Sequence, residues 1–271
     1  MNGYLYTLNQ TPPPVTLKLF DTLVAPIIEY GSEIWSPCSS YDSLEKLHLR
    51  FLKSTLGVRP QTPTAAVLGD LGRFPLHIRL QTKAVKYWCK LVSKPSGSLP
   101  KLAYKMLLSL KEYGFSTWLD KICMILDKSE LSDSFETISF SKSEITSLCK
   151  KVTFKLQEQF IEKWETEISN LPKLRTYCLF KSSFETERYL HIFNKNHRQA
   201  LSRFRMSAHN LEIEKGRWRR KLVNGKWHSC VIPIEERLCL FCQNEDVETE
   251  LHVLMSCSMY LDLRLDLFNT A

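Results

Sequence analysis

Three cysteines and one histidine near the end of the chain have a spacing that suits a metal ion. Cys239, Cys242, His252 and Cys257 form the pattern C-x2-C-x9-H-x4-C. Two thiolates separated by two residues can meet one ion from a tight turn. A histidine and a third thiolate can complete a tetrahedron, which is the geometry that Zn(II) prefers. Because no fifth ligand is evident, we expect a closed, structural zinc site rather than a catalytic one.

Other interpretations of these residues remain open. A C-x-x-C pair can be a redox site, although no βαβ pattern surrounds this one. The four residues could also be unrelated core thiols and a surface histidine, and Cys230 or His228 could replace one of the ligands. The nine cysteines are odd in number and no secretory signal is visible, so we expect reduced thiols. The six cysteines outside the pattern are mostly expected in the core.

The ligands require a helix that carries His252 and ends before Cys257. We predict this helix over residues 247–255. Residues five apart diverge on a continuous helix, because each residue turns the chain by about 100°. The helix must therefore end early enough for the Cys257 thiol to turn back toward the ion.

The rest of the chain is predicted to be mainly α-helical. Apolar residues recur at three- and four-residue steps, and strand-like alternation is scarce. The clearest helix covers residues 142–169, where Ser141 and Glu144 have the spacing of a capping box. The other predicted helices cover residues 16–35 (kinked or divided at Pro26), 42–56, 75–92, 100–112, 115–127 and 185–207.

Composition predicts where the chain divides. The run Lys-Pro-Ser-Gly-Ser at residues 94–98 is the best linker candidate. It separates an N-terminal helical segment, residues 1–94, from a helical connector, residues 99–170. A basic region covers residues 171–238, and the metal pattern lies within residues 239–271. No run of about 18 apolar residues occurs, so no membrane span is predicted.

Positive charge is concentrated in the basic region. The 271 residues have a net charge of +8, but residues 171–238 hold 15 basic and 6 acidic residues, a net +9. Aromatic residues are interleaved with them, and this combination can neutralise phosphates and stack on bases. A solvated helix face above core aromatic residues would have the same composition. The predicted nucleic-acid-binding residues are Arg198, Arg203, Arg205, Arg217, Arg219, Arg220 and Lys221.

Two segments resemble a known family. Residues 209–220 read HNLEIEKGRWRR, and residues 232–260 read IPIEERLCLFCQNEDVETELHVLMSCSMY. They look like the C-terminal region of non-LTR (LINE-type) retrotransposon reverse transcriptases. Residues 17–35 and 44–58 are also similar to segments of these enzymes, so the resemblance covers roughly residues 15–261. The matching positions in the two main segments are His209, Leu211, Ile213, Gly216, Arg217, Ile232, Pro233, Glu236, Arg237, Cys239, Cys242, Glu250, His252, Leu254, Cys257 and Tyr260.

The resemblance implies a mainly α fold: a thumb-like helical bundle, a helical basic region and a small zinc-stabilised C-terminal module. The chain also departs from the family. Ser258 stands where a proline is frequent, and no adjacent Asp pair is present of the kind with which these polymerases hold two metal ions. We therefore expect a fragment that lacks the polymerase palm and has no catalytic activity of its own.

The expected function is binding of RNA or DNA inside the cell, in the cytoplasm or the nucleus. The upstream polymerase domains of the same element are a further expected partner. Two alternatives remain: a zinc-stabilised protein-interaction module, and a decayed retroelement insertion with no selected role. An independent enzyme is disfavoured, because the sequence has no nucleophile-elbow motif and no glycine loop that could cradle a phosphate.

Overall fold

Helices make up most of the computed structural model, as predicted. It describes residues 11–223, 225–242 and 244–270. None of the described helices is long and apolar enough to cross a membrane. The helices before residue 171 are α1 (Pro13–Leu19), α2 (Ala25–Ile28), α3 (Ser32–Trp35), α4 (Asp42–Leu56), α5 (Thr64–Asp70), α6 (Leu76–Val92), α7 (Leu99–Glu112), α8 (Trp118–Lys128) and α9 (Lys142–Asn170). They are followed by α10 (Tyr177–Phe180), α11 (Lys195–Arg205), α12 (Glu212–Lys215), the antiparallel strands β1 (Arg220–Val223) and β2 (Lys226–Ser229), and α13 (Leu261–Thr270).

Helix α9 joins two hydrophobic cores. Its start has the predicted capping box: the Glu144 amide donates to the Ser141 hydroxyl (3.3 Å), and the Ser141 amide donates to the Glu144 carboxylate (2.7 Å). Its 29 residues make a rod of roughly 44 Å at a rise of about 1.5 Å per residue. Val152 packs in the first core and Trp164 packs in the second. A single helix therefore holds the two cores in a fixed relation.

The first core lies between α6, α7, α8 and the first half of α9. Its fully buried members include Trp88, Leu119, Ile122 and Leu126. Helix α6 belongs to the predicted N-terminal segment, and the other three helices belong to the predicted connector. The proposed linker at residues 94–98 is a short turn between α6 and α7, so these two segments share one core.

The second core is built around α5, in which every residue from Ala65 to Asp70 is buried. Two aromatic side chains reach the backbone of this helix: the Trp164 indole donates to the Ala65 carbonyl (2.8 Å), and the Tyr177 hydroxyl donates to the next carbonyl (3.2 Å). Gly69 allows this close approach, since a Cβ there would lie 2.6 Å from the Tyr177 hydroxyl. The start of the basic region is thus packed onto the N-terminal part of the chain.

Four elements differ from the sequence-based prediction. The helix predicted over residues 16–35 includes a π-helical turn (Phe20–Val24) and is broken at Gly31, whose φ is +63°. Helix α5 was not predicted, because a short helix buried on all sides has no amphipathic period. The helix predicted over residues 185–207 is reduced to α11, because the Asn194 side chain accepts two amide hydrogen bonds and caps a later start. The hairpin of β1 and β2 was also missed.

Candidate metal centre and basic surface

The predicted metal ligands converge on one point. One ligand atom from each of Cys239, Cys242, His252 and Cys257 lies within 4.8 Å of all the others, and the four residues are buried. The sulfur atoms of Cys239 and Cys257 are 3.8 Å apart, and the Cys242 sulfur is 3.2 Å from His252 Nε2. In a tetrahedral zinc site, bond lengths near 2.0–2.3 Å place such atoms about 3.5–3.8 Å apart. The cluster therefore fits a single four-coordinate metal ion.

A closed loop positions the first two ligands. Leu238 and Val247 form an isolated antiparallel bridge, and the Cys239 amide donates to the Asp246 carbonyl (2.8 Å). The chain between them has to turn back on itself. Both thiols of the C-x-x-C pair are thereby held on one side of a tight loop, as their spacing predicted.

A π-helical turn positions the other two ligands. It covers His252–Ser256, where the sequence had predicted a regular helix over residues 247–255. The turn ends before Cys257, which is extended, with ψ 121°. The Cys257 amide donates to the His252 carbonyl (2.8 Å), so the thiol returns toward the imidazole. The wider π-helical turn thus solves the geometric problem that the spacing of five residues raised.

The outer nitrogen of the histidine faces a carboxylate. His252 Nδ1 is 3.5 Å from the carboxylate of Asp246, and Nε2 faces the sulfur atoms. A carboxylate in this position favours the proton on Nδ1 and leaves Nε2 free to bind a metal. Burial, and after it the neighbouring Cys239 thiol, raises the pKa of the Cys257 thiol. A metal ion would have to displace the proton to bind there.

The remaining cysteines lie outside this cluster. Cys230 and His228 are exposed and are not members of it, so neither replaces a ligand. The expectation that the other six cysteines are mostly core residues was wrong. Only Cys89 among them is buried, whereas Cys38, Cys178 and Cys230 are exposed.

A buried carboxylate attaches the metal module (residues 238–257) to the basic region. Glu250 accepts hydrogen bonds from Arg175 (2.7 Å), Thr176 (3.0 Å), Ser207 (3.0 Å) and His209 (2.8 Å). Burial alone would raise its pKa, but the hydrogen bond from His209 and the charge of Arg175 lower the pKa of Glu250 to about 2. The carboxylate is therefore ionised at neutral pH and joins three segments of the chain.

Glu248 and Arg237 make a second attachment. The Glu212 amide donates to the Glu248 carboxylate (2.6 Å), and the buried Arg237 guanidinium donates to the Ile213 carbonyl (2.7 Å). Gly216 makes room for this guanidinium, since a Cβ there would lie 2.5 Å from Arg237 Nε. Many of the positions that carry the family resemblance thus meet in one network of contacts, which surrounds and includes the metal module.

Two of the predicted nucleic-acid-binding arginines face the interior. Arg198 is buried, and its guanidinium donates to three backbone carbonyl groups. Arg205 lies between the carboxylates of Asp70 (3.2 Å) and Glu187 (3.1 Å). Their guanidinium groups bind parts of the chain together and are not offered to a ligand at the surface.

The other predicted residues lie nearer to solvent. Arg217 and Arg219 form ion pairs with buried glutamates (3.1 and 3.4 Å), and Arg219 remains exposed. Arg203 is exposed and its Nε donates to the Gly57 carbonyl (2.9 Å). Arg220 is exposed, and its side chain makes no hydrogen bond or ion pair with another described residue. The backbone of Lys221 belongs to β1, but its side chain lies outside the described residues.

Two cations that were not predicted from the sequence lie against the ring of an exposed tryptophan. The guanidinium carbon of Arg59 is 5.1 Å from the centre of the Trp218 ring, and Lys173 Nζ is 5.7 Å from it. Both lie within the distance of about 6 Å at which a cation is attracted to an aromatic face. Lys53 lies nearby: burial lowers its pKa, and the charge of Lys173 lowers it further. We call Lys53, Arg59, Lys173 and Trp218 the Trp218 surface.

A cleft adjoins this surface. It has a volume of about 340 Å³, and Arg59 and Arg203 both line it. Lys53 and Arg59 come from the end of α4 and the turn after it, whereas Lys173 and Trp218 come from the basic region. No local sequence signal relates segments so far apart, so the Trp218 surface was missed.

The missed hairpin begins two residues after Trp218. Leu222 pairs with Trp227 and Lys221 pairs with His228, and all four residues of β2 are exposed. A signal was available in the sequence, because Asn-Gly between two short strands favours a tight hairpin turn. Gly225 has a φ of +73°, as such a turn requires. Asn224 itself lies outside the described residues.

Comparison with known proteins finds no family model, no curated protein and no solved structure that matches this chain.

Proposed function

We propose that this chain is a nucleic-acid-binding region of a LINE-type reverse transcriptase, with a metal module held by zinc. The Trp218 surface is the observation that carries this proposal. It combines three cationic side chains with an exposed aromatic ring, drawn from three separate segments of the chain. RNA and DNA are the ligands that offer a repeated anionic backbone together with flat rings.

The cations of this surface crowd one another. Burial lowers the pKa of Lys173; the charge of Glu214 raises it, and the charges of Arg217 and Arg59 lower it again. A phosphate placed among these side chains would relieve their repulsion and release bound counterions. Cations held close together in this way are typical of a site that binds a polyanion.

Four acidic residues in and beside the metal module are turned inward, whereas Glu185, Glu235 and Glu236 of the basic region are exposed. Glu212, Glu214, Glu248 and Glu250 are all buried. The carboxylates of Glu212, Glu214 and Glu250 form ion pairs with Arg219, Arg217 and Arg175. These partners, and not solvent, compensate most of their charge. Lys181, Arg198 and Arg237 are buried as well, so the support for an anionic partner is the excess of 15 basic over 6 acidic residues in the basic region.

Zinc is the proposed metal because three thiolates and an imidazole suit a borderline-soft ion that prefers four ligands. When bound, it would cross-link the C-x-x-C loop to the π-helical turn. With four protein ligands, it would have no open position for a substrate. We therefore propose a structural role for the metal and no catalytic activity for this chain.

The salt dependence of binding to a short single-stranded RNA or DNA tests the proposal. Replacing Lys53, Arg59 and Lys173 together with Gln removes three charges. It should lower the slope of log affinity against log salt by about 2, since each phosphate contact contributes roughly 0.7 to the slope for single strands.

The matched control replaces three exposed lysines on α7 and α9, Lys105, Lys142 and Lys151, with Gln. It carries the same change of charge and should leave most of the slope in place. Equal slopes for the two triple variants would show that the Trp218 surface is not the binding site.

A second candidate function, protein interaction, is favoured by the N-terminal helices. Leu19, Leu23, Ile27 and Ile34 are exposed at steps of four, four and seven residues, beside an exposed Tyr30. An apolar face of this kind is typical of a protein-binding surface. A protein that stays bound to the chain after nuclease treatment would support this function.

A further inference from the structure

The two exposed tryptophans of the basic region differ in their surroundings. The Trp218 ring has Arg59 and Lys173 against it and is 39% exposed. Trp227 is 67% exposed, and its indole makes no ring, cation or hydrogen-bond contact with another described residue. Its faces are open to a ligand, whereas those of Trp218 are partly occupied by cations.

The hairpin presents Trp227 on a small apolar face. Paired residues of neighbouring strands lie on the same side of a sheet, and alternate residues along a strand share that side. Leu222, the partner of Trp227, therefore lies beside it, and Arg220 lies on the same face two residues away. Leu222 is also exposed. A flat ring, an aliphatic neighbour and a guanidinium make a platform on which another flat ring can stack.

The charge around the platform is of one sign. Residues 216–234 contain five Lys and Arg residues and no Asp or Glu. An isolated two-stranded hairpin is marginally stable in water, and this one leaves its strand β2 exposed. An indole that is exposed among cations does not stabilise the hairpin or the fold. The arrangement is complementary to a ligand that carries both negative charge and flat apolar surface.

We infer that Trp227 stacks on an unpaired nucleobase of a strand whose phosphates lie along Arg220 and the Trp218 surface. This inference rests on the proposed function and adds to it a preference for unpaired bases. In a duplex the base faces are covered by their neighbours, so a platform of this kind can use them only in single strands or at an end. Leu222 of the platform and Arg220 are two residues apart on β1. A base stacked on Trp227 and a phosphate bound by Arg220 would therefore lie close together on the strand.

Abasic strands separate stacking from charge. The full chain, loaded with zinc, is titrated with a fluorescent single strand and with a strand of equal length that has the same phosphates but no bases. The wild-type chain should bind the strand with bases about tenfold more tightly, which is the size of effect that one stacked base produces. Trp227→Ala should lose most of this difference, and Trp227→Phe should keep most of it.

Tyr113→Ala is the matched control, since Tyr113 is an exposed aromatic residue after α7. It should behave like the wild-type chain. An unchanged preference for bases in Trp227→Ala would overturn the inference while leaving the proposed function intact. Absence of salt-dependent binding to either strand would overturn both. Tighter binding to phosphatidylserine vesicles than to the strand would assign the hairpin to a membrane surface instead.

Discussion

The first core and the metal module are stabilised by different interactions. The first core buries large apolar residues from four helices, among them Trp88 and Leu126. In the metal module the buried cluster contains only the three cysteine ligands, with Tyr260 packed against them. Its attachments to the rest of the chain include polar contacts of Glu250 and Glu248. A unit with so little apolar burial needs ligand bonds to hold its shape.

Removal of the metal should have the largest effect and should be confined to one region. Structural zinc contributes roughly 10 kcal/mol or more to the folding of small zinc-binding peptides. We expect one equivalent of zinc in the purified chain. After chelation, or in Cys257→Ser, amide hydrogens of residues 238–257 should exchange much faster, while those of α6 to α9 stay protected.

Cys230→Ser changes an exposed thiol outside the cluster and serves as the control for the loss of metal. It should keep its zinc and its pattern of hydrogen exchange. Less than half an equivalent of zinc in the wild-type chain, or equal protection with and without the chelator, would contradict the comparison between the two regions.

Leu126→Ala should cause the next largest loss of stability. This loss should be confined to the first core. Leu126 is fully buried in the first core, and a cavity of this kind costs about 4 kcal/mol. Denaturant unfolding should show this loss in the free energy of unfolding, with the zinc content unchanged. Met124→Ala, on the exposed side of the same helix, should change stability by less than about 0.5 kcal/mol. A loss of zinc in Leu126→Ala would mean that the regions are not independent.

Acid should reduce the stability of the fold by a smaller amount, by protonating a carboxylate outside the metal module. Glu45 on α4 accepts hydrogen bonds from the backbone and ring of His77 (2.9 Å each). Burial opposes ionisation, but the nearby His48 ring (3.7 Å) and the hydrogen bonds from His77 lower the pKa of Glu45 to about 2. Because the pKa is lower in the folded state, the stabilisation is complete above about pH 5 and is lost as the pH falls toward 2.

The expected size is about 3.5 kcal/mol, because the pKa falls from 4.5 to about 2 and one pKa unit is worth about 1.4 kcal/mol. Glu45→Gln should lose this much at pH 7, and its difference from the wild-type chain should shrink in acid. The exposed Glu112→Gln serves as the control and should follow the wild-type curve. A difference that stays constant from pH 7 to pH 3 would show that the Glu45 charge does not support the fold.

Local signals in the sequence predicted the parts of the fold that local interactions determine. The capping box at Ser141 and the apolar stripe after it define α9 without help from the rest of the chain. Helix α5 could not be found in this way, since its burial depends on Trp164 and Tyr177. The hairpin had a local signal in Asn224 and Gly225, which was overlooked.

The same distinction applies to the candidate sites. The metal cluster was predictable because its ligands lie within 19 residues and their spacing reflects the geometry of one ion. The basic surface was not, because the sequence does not say which cations meet carboxylates. The Arg205 guanidinium pairs with Asp70, 135 residues earlier, and is turned away from the surface. Arg59 lies against Trp218 and adds a cation to the surface.

Helix α9 also fixes an order of events during synthesis of the chain. The first core draws only on residues between Phe74 and Phe160, so it can form while the ribosome is still making the rest. The second core begins with Leu17 but needs Met206. The second core is therefore completed only after the basic region has been made, whereas Phe20 and Ala25 of the early segment can already pack against Leu76. The second half of α9, already anchored at its start, is the surface on which the second core then assembles.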